Sequence, residues 1–557
     1  MSKSVRTWPV ALAVAAAITG CSSSSPKTAS STSPTTTPAS TATTAAPGGA
    51  YTRPACPPHN APPLHATRVA GSTSDYDVTS FDGTRIRVHW FPVPTTGKPA
   101  PTVLKGPGWG SPGDTNTAGS GYGLFGDLSI NALHQAGYNV LTWDPRGFGQ
   151  STGTVETDSP DYEGRDVQTL IDWVAAQPGV QLDAENDPRM GMVGASYGGG
   201  IQLTVASIDC RVDAIVPQLA WHSLGTSLYK AETAKTGWGN LLYGVAATHT
   251  LDPHITSAHT DSNASGLIAP DDIAWFLSRG PGDDVGKITA PTLFEQGTID
   301  TLFSLDEAAT NYQILKDKGV PVAMLWMCSG HGVCLTDPGD QQLPGTAALA
   351  WLARYVKDDA TAKLPPAFEW VDQNGTDHTA GQYPVPNGAP IAAEGHGKLA
   401  LTADSVSGPA VSAGNAGALG GIALPITPAK ATHALDVPIT VPPTALVLGA
   451  PTLTLRYSGT TPPGERPTRV FAQLVDDATG VVLGNQITPI QVTLDGKAHT
   501  ATTPLEIVVF AARPGAHLTL QLVATTVAYA QPRLGGSVDF ASVKVSLPTV
   551  ATATPAT

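Results

Sequence analysis

Two apolar periods take turns along the chain between about residues 75 and 358. Short runs with a period near two, or wholly apolar, read as strands: Tyr76–Ser80 and Arg85–Phe91 around the Asp82-Gly83 turn, then Thr102–Lys105, Tyr138–Trp143, Met190–Gly194, Ala214–Leu219, Pro291–Glu295 and Val320–Trp326. Between them, Val167, Leu170, Ile171 and Val174 recur at i, i+3, i+4 and i+7, one face of a helix. Further helices are predicted over Leu128–Gln135, Gly199–Ser207, Glu307–Lys318 and Thr346–Val356. Strands alternating with helices of this length predict a doubly wound, mostly parallel α/β sheet. Residues 222–285 break the rhythm with weak helical patterns and no clear strand, as a helical cap inserted over the sheet edge would.

From about residue 366 the helical period disappears. Lys398–Thr402, Thr452–Tyr457, Val470–Val475, Leu505–Phe510, Leu518–Val523 and Val543–Leu547 are short β-rich runs separated by Gly/Pro turns. They predict an all-β sandwich or jelly roll over 366–548 and a frayed, disordered tail at 549–557. The expected organisation is therefore a catalytic α/β domain over 56–360 followed by a β-sandwich.

Composition adds a third region. The chain has 557 residues, only 14% of them charged, with 58 Gly and 49 Pro. Residues 22–50 are almost entirely Ser, Thr, Ala, Pro and Gly, with Lys27 as the one charge, and read as a flexible tether. Before it, Lys3 and Arg6 precede the apolar run Val10–Ile18, which is too short to span a bilayer. Ile18-Thr19-Gly20-Cys21 resembles a bacterial lipobox. Residues 1–20 are thus expected to be a lipoprotein signal peptide, Cys21 the lipidated residue, and 21–55 a disordered spacer holding an extracytoplasmic protein to the membrane. Four cysteines remain, Cys56, Cys210, Cys328 and Cys334. In an exported chain they permit two disulfides, and local spacing favours Cys328 with Cys334. The net charge of −14 argues against a nucleic-acid partner.

The sharpest chemical signal is Gly194-Ala195-Ser196-Tyr197-Gly198, lying between a predicted strand and a predicted helix. A G-x-S-x-G turn in that setting lifts a serine hydroxyl above the sheet as a nucleophile. An acid and then a histidine should follow, each just past a strand. Asp300 follows Pro291–Glu295, and His331 follows Val320–Trp326 in the Gly-flanked segment Ser329-Gly330-His331-Gly332. Asp306 reads instead as a cap of the next helix. His331 would take the Ser196 proton and Asp300 would orient the imidazole, so hydrolysis should fall as His331 protonates. The Tyr197 amide would face the developing oxyanion. A second donor is expected from Gly106-Pro107-Gly108-Trp109-Gly110, where Pro107 has no N–H; the Trp109 amide is preferred, with Gly108 as the alternative.

The loop Asp144–Gly153 reads as structural, and Gly119–Gly126 lacks the Lys-Ser/Thr of a P-loop. His249, Asp252 and His254 complete no zinc pattern, so no metal and no cofactor are expected.

Three features resemble the X-Pro dipeptidyl-peptidase and cocaine-esterase family of α/β-hydrolase serine hydrolases. They are Gly194-x-Ser196-Tyr197-x-Gly199, the loop Asp144-x-Arg146-Gly147-x-Gly149-x-Ser151-x-Gly153, and a C-terminal strand Val470-Phe471-Ala472-Gln473-Leu474-Val475-Asp476 in a jelly roll after a capped hydrolase domain. The resemblance implies an α/β-hydrolase fold, Ser196, Asp300 and His331 as the triad, and a small ester or peptide substrate. Several members carry an oxyanion-binding Tyr in the loop after the Thr102–Lys105 strand. This chain has none there, which leaves the second donor to the backbone. Because the family cleaves both esters and amides, membership does not choose between them. The rival from another class is a binding or adhesion lipoprotein with a relic hydrolase domain.

Overall fold

The computed structural model describes residues 51–94, 98–119, 127–332, 334–407, 429–551 and 554–555. The expected signal peptide, Cys21 and the tether through residue 50 lie outside the described residues, as does all but Gly119 of the Gly119–Gly126 run.

A twelve-stranded mixed sheet forms the centre of the α/β domain. Its members are β1 (Ala66–Arg68), β2 (Asp75–Thr79), β3 (Arg85–Phe91), β4 (Thr102–Lys105) and β5 (Asn139–Trp143), then, after a small hairpin of β6 (Leu182–Ala184) and β7 (Asp187–Pro188), β8 (Met190–Ala195), β9 (Ala214–Gln218), β10 (Thr292–Gly297), β11 (Val322–Met327), β12 (Phe368–Val371) and β13 (Asp377–Ala380). The order is β1-β2-β3-β5-β4-β8-β9-β10-β11-β12-β13, closed at the far edge by Thr554–Pro555. β5-β4-β8-β9-β10-β11-β12 run parallel, and both edges are antiparallel.

Alternation along the strands sorts their side chains into two cores. Leu104, Phe294, Met324 and Trp326 face α2 (Glu163–Ala175), α3 (Tyr197–Ile208) and α8 (Leu305–Asp317). Their neighbours Val103, Leu293, Ala323 and Leu325 face α1 (Ile130–Gln135) and α9 (Leu343–Val356). The segment 222–285 forms the cap, with α4 (Leu224–Leu228), α5 (Thr236–Ala246), α6 (Pro253–Ser265) and α7 (Pro270–Leu277). Its buried face, including Trp238 and Trp275, packs with Tyr197, Trp221, Leu302 and Phe303 next to the elbow.

Two antiparallel sheets with one shared core make the C-terminal sandwich. One orders Ile391–Ala400, Ser537–Leu547, Thr452–Thr460 and His499–Pro504. The other orders Leu435–Thr440, His517–Val523, Arg469–Asp476 and Val481–Val482. Leu435–Thr440 alternates buried and exposed at every residue, as a strand covering a core on one face must.

Three expected boundaries are corrected. The catalytic domain does not stop at 360, because Phe368–Val371 and Asp377–Ala380 extend its sheet as β12 and β13. A short β-run carries no record of which sheet it joins. The tail at 549–557 is not simply frayed: the Thr549 carbonyl accepts from the Gly388 amide at 2.7 Å, and Thr554–Pro555 pairs with β13. Residues 51–55 do not behave as spacer either. Tyr51 donates to the Thr289 carbonyl at 2.8 Å, and Arg53 pairs with the buried Asp213.

Candidate active site

β8 ends at Ala195 and α3 begins at Tyr197, so Ser196 alone makes the turn, with φ 59° and ψ −118°. A non-glycine residue in the left-handed region stores strain, which the surroundings must hold. They do so through the Ser196 amide donating to the Gln218 carbonyl at 2.9 Å, and through Gly199 and Gly200 amides donating to the Ser196 carbonyl. The glycines are required by space. At Gly194, whose φ is 143°, a Cβ would lie 2.6 Å from the Gly106 carbonyl oxygen, and at Gly198 it would collide with the same carbonyl.

The two partners reach the serine from the ends of β10 and β11. His331 Nε2 lies 2.7 Å from Ser196 Oγ, and His331 Nδ1 lies 2.7 Å from Asp300 Oδ2. With Nδ1–H donated to Asp300, Nε2 presents a lone pair to the serine hydroxyl. Asp300 is fully buried, and its other oxygen accepts from the Leu302 and Phe303 amides at 2.9 and 2.8 Å. Phe303 and Trp238 pack edge-on against the imidazole. Gly330 faces Asp300 so closely that any Cβ there would clash with its backbone.

Cys328 and Cys334 are joined across the His331 loop, and Cys56 is joined to Cys210. Chain entropy gives the six-residue separation of the first about 2 kcal/mol and the 154-residue separation of the second about 5 kcal/mol. The short bridge should therefore matter chiefly for where His331 sits. The double variant Cys328→Ser/Cys334→Ser is expected to lower kcat by about tenfold or more with a melting temperature within a few degrees of the parent. Unchanged kcat would remove the bridge from the positioning of His331.

The amide of Tyr197 opens α3 at its positive end. The Tyr197 hydroxyl is buried away from bulk water, accepting from the Asp158 amide at 3.2 Å and lying 3.5 Å from Glu163 Oε1. Burial raises the carboxyls of both Asp158 and Glu163, Glu163 to about 8. Trp109 stands beside Ser196 and lines both cavities that meet there, with its indole N–H donated to the Leu242 carbonyl of α5 at 2.9 Å. Asp306, in the first turn of α8, faces away from the triad toward Lys230 at 3.4 Å. Asp144 is structural, accepting from the Gly113 and Gln150 amides. Among the described residues no three His, Cys, Asp or Glu side chains cluster as metal ligands. His249 instead faces the Gly147 carbonyl, and His254 faces Asp272.

Sequence reading missed the groups that support the triad from a distance. Gln486, from the sandwich, donates to the Asp300 carbonyl at 2.7 Å. Lys235, at the N-terminus of α5, donates to the Thr301 and Leu302 carbonyls at 3.0 Å each. Burial pulls its ammonium down to about 8. No local pattern marks such residues, since their roles arise from contacts dozens to hundreds of positions away.

Residues 82–332 match the X-Pro dipeptidyl-peptidase (S15 family). That region is a little under half of the chain, and over it the chain is similar to the serine hydrolases of that family. A CocE/NonD family hydrolase from Staphylococcus aureus superposes with a TM-score of 0.62 at 12% identity, over 86% of this chain and 93% of that one. An α-amino acid ester hydrolase superposes with a TM-score of 0.64 at 13% identity, over 87% and 96%. At such identities the likeness is one of fold, and the fold is that of an α/β-hydrolase. A curated relative, an uncharacterized 31.7 kDa protein of Escherichia coli, is 36% identical over 91 residues, 16% of this chain. The match spans 30% of that relative's length.

Proposed function

We propose that this protein is an exported, lipid-anchored serine hydrolase that cleaves ester or amide bonds through an acyl-enzyme on Ser196. The observation that carries the reading is the continuous relay from Ser196 Oγ through His331 to buried Asp300, with 2.7 Å at each step. Ser196 attacks the substrate carbonyl while His331 Nε2 takes its proton. The tetrahedral oxyanion is stabilised by the Tyr197 amide and a second amide from the Trp109 loop. His331 then returns the proton to the departing alcohol or amine, and water releases the acid by the same steps in reverse order.

Export and anchoring are supported by Lys3, Arg6, the short apolar run and Cys21, together with two disulfides of the kind that persist outside the cytoplasm. One experiment addresses both halves. In a lipoprotein-processing bacterial host, a fluorophosphonate is expected to label Ser196 in the membrane fraction, and Cys21→Ala to move the labelled protein out of that fraction. A folded protein that takes no label would favour the binding lipoprotein. Label that stays with the membrane in the Cys21 variant would dispose of the anchor.

A further inference from the structure

Ser196 lies where two cavities meet, and they differ in chemistry. The inner one, about 120 Å³, runs under the cap past Leu228, Ile255, Ile273 and Phe276. The outer one, about 330 Å³, is lined by Gly106, Ser111 and the Lys105–Asp127 ion pair, and by His331. A leaving group must receive its proton from His331 Nε2, so it has to depart on the side that His331 lines. That assigns the outer cavity to the leaving group and the inner one to the acyl group.

Among the described residues that line the inner cavity, none is Asp or Glu. Its charged group is the Lys235 ammonium, held against two backbone carbonyls and 5.8 Å from the Tyr529 ring. His259, also in the lining, stacks on Tyr243 at 3.9 Å with Nε2 toward Asn240, and burial favours its neutral form. The cap carboxylates Glu232, Asp271 and Asp272 look elsewhere. Glu232 is mostly exposed and meets Gln491 of the sandwich, Asp271 is exposed on α7, and Asp272 pairs with His254.

Resting on the reading of Ser196 as nucleophile, we propose that the inner cavity takes a neutral, apolar acyl chain and excludes substrates whose acyl part carries an ammonium, such as a peptide bearing a free N-terminal amine close to the scissile bond. An ammonium entering the cavity would leave water without a carboxylate to receive it, and would meet the like charge of Lys235. An alkyl chain loses nothing there and leaves water for apolar side chains.

The test compares p-nitrophenyl heptanoate with its isostere in which the terminal methyl is replaced by an ammonium, alongside Gly-Pro p-nitroanilide, on the full mature chain. The heptanoate is expected to have a kcat/KM at least about a hundredfold higher, with the anilide at background. Equal or faster turnover of the charged ester, or efficient cleavage of the anilide, would overturn the proposal while fluorophosphonate labelling of Ser196 left the nucleophile standing. No turnover of any substrate with no labelling would remove both. Leu228→Trp, which narrows the inner cavity, is expected to shift the preferred acyl chain to a shorter length in a protein that still takes label. An unshifted length preference would overturn the placement of the acyl group.

Discussion

Replacing Ser196 by alanine is expected to lower kcat/KM toward an activated ester by about 10⁴-fold or more, with KM little changed. The side chain makes no packing contribution that alanine would lose, and the strained turn is held by backbone bonds to Gln218, Gly199 and Gly200 that the variant keeps. The melting temperature should therefore stay near that of the parent, which separates loss of the nucleophile from loss of fold. Asp300→Asn tests the next step of the relay. Asp300 accepts His331 Nδ1–H and two amides at once, so an amide there cannot accept from all of them in the same geometry and would favour the other imidazole tautomer. A loss of about 10⁴-fold is expected, with Ser196 still present. Retention of more than about one hundredth of the parental rate in the Ser196 variant would show that some other group is the nucleophile.

The largest effect on stability is expected at Glu506. This residue of the sandwich is buried, and its carboxylate receives the Lys230 ammonium of the cap at 2.5 Å. Burial opposes its ionisation, but Lys230, a hydrogen bond with Asp306 and the charge of Lys235 together outweigh burial and hold the carboxyl well below its ordinary range. Glu506→Ala would leave Lys230 with Asp306, at 3.4 Å, as its remaining carboxylate and take a nearby negative charge from the buried Lys235. Removing one partner of such a buried set costs about 3–5 kcal/mol. Urea unfolding at pH 7 reads the loss, and a change below about 1 kcal/mol would show the cluster to be solvated like a surface pair. The pH dependence has a definite sign. A carboxyl whose folded pKa is depressed contributes stability above its ordinary value of 4.5, and that contribution is lost as pH falls toward about 2. The gap between parent and Glu506→Ala should therefore narrow through this window. Because Lys235 also holds the Thr301 and Leu302 carbonyls beside Asp300, the variant should lose kcat as well as stability.

Much of this molecule can be read locally. The strand–Ser196–helix turn, an acid after the strand Thr292–Gly297 and a histidine after Val322–Met327 all follow from apolar runs of strand length ending in glycine-rich loops. A parallel sheet forces strand ends to one edge, so the order of Ser196, Asp300 and His331 already placed them together. The resemblance carried by Gly194–Gly199 and Asp144–Gly153 led to the same triad. What failed were edges. Phe368–Val371 looks like any sandwich strand, and residues 549–555 look like a tail, because a lone strand does not encode its partner.

The chain by itself determined the alternation that builds the sheet, the glycines that let Gly106 and Gly198 touch, and the three side chains of the Ser196–His331–Asp300 relay, since each depends on neighbours a few positions away. Only the tertiary structure decided that Gln486 and Glu506, far along the sandwich, reach the Asp300 loop and the base of the cap. It alone decided that no acidic side chain among the described residues faces the inner cavity. Burial and charge pairing are properties of where the backbone brings side chains together, and for these groups the partners lie from about 65 to nearly 280 residues apart.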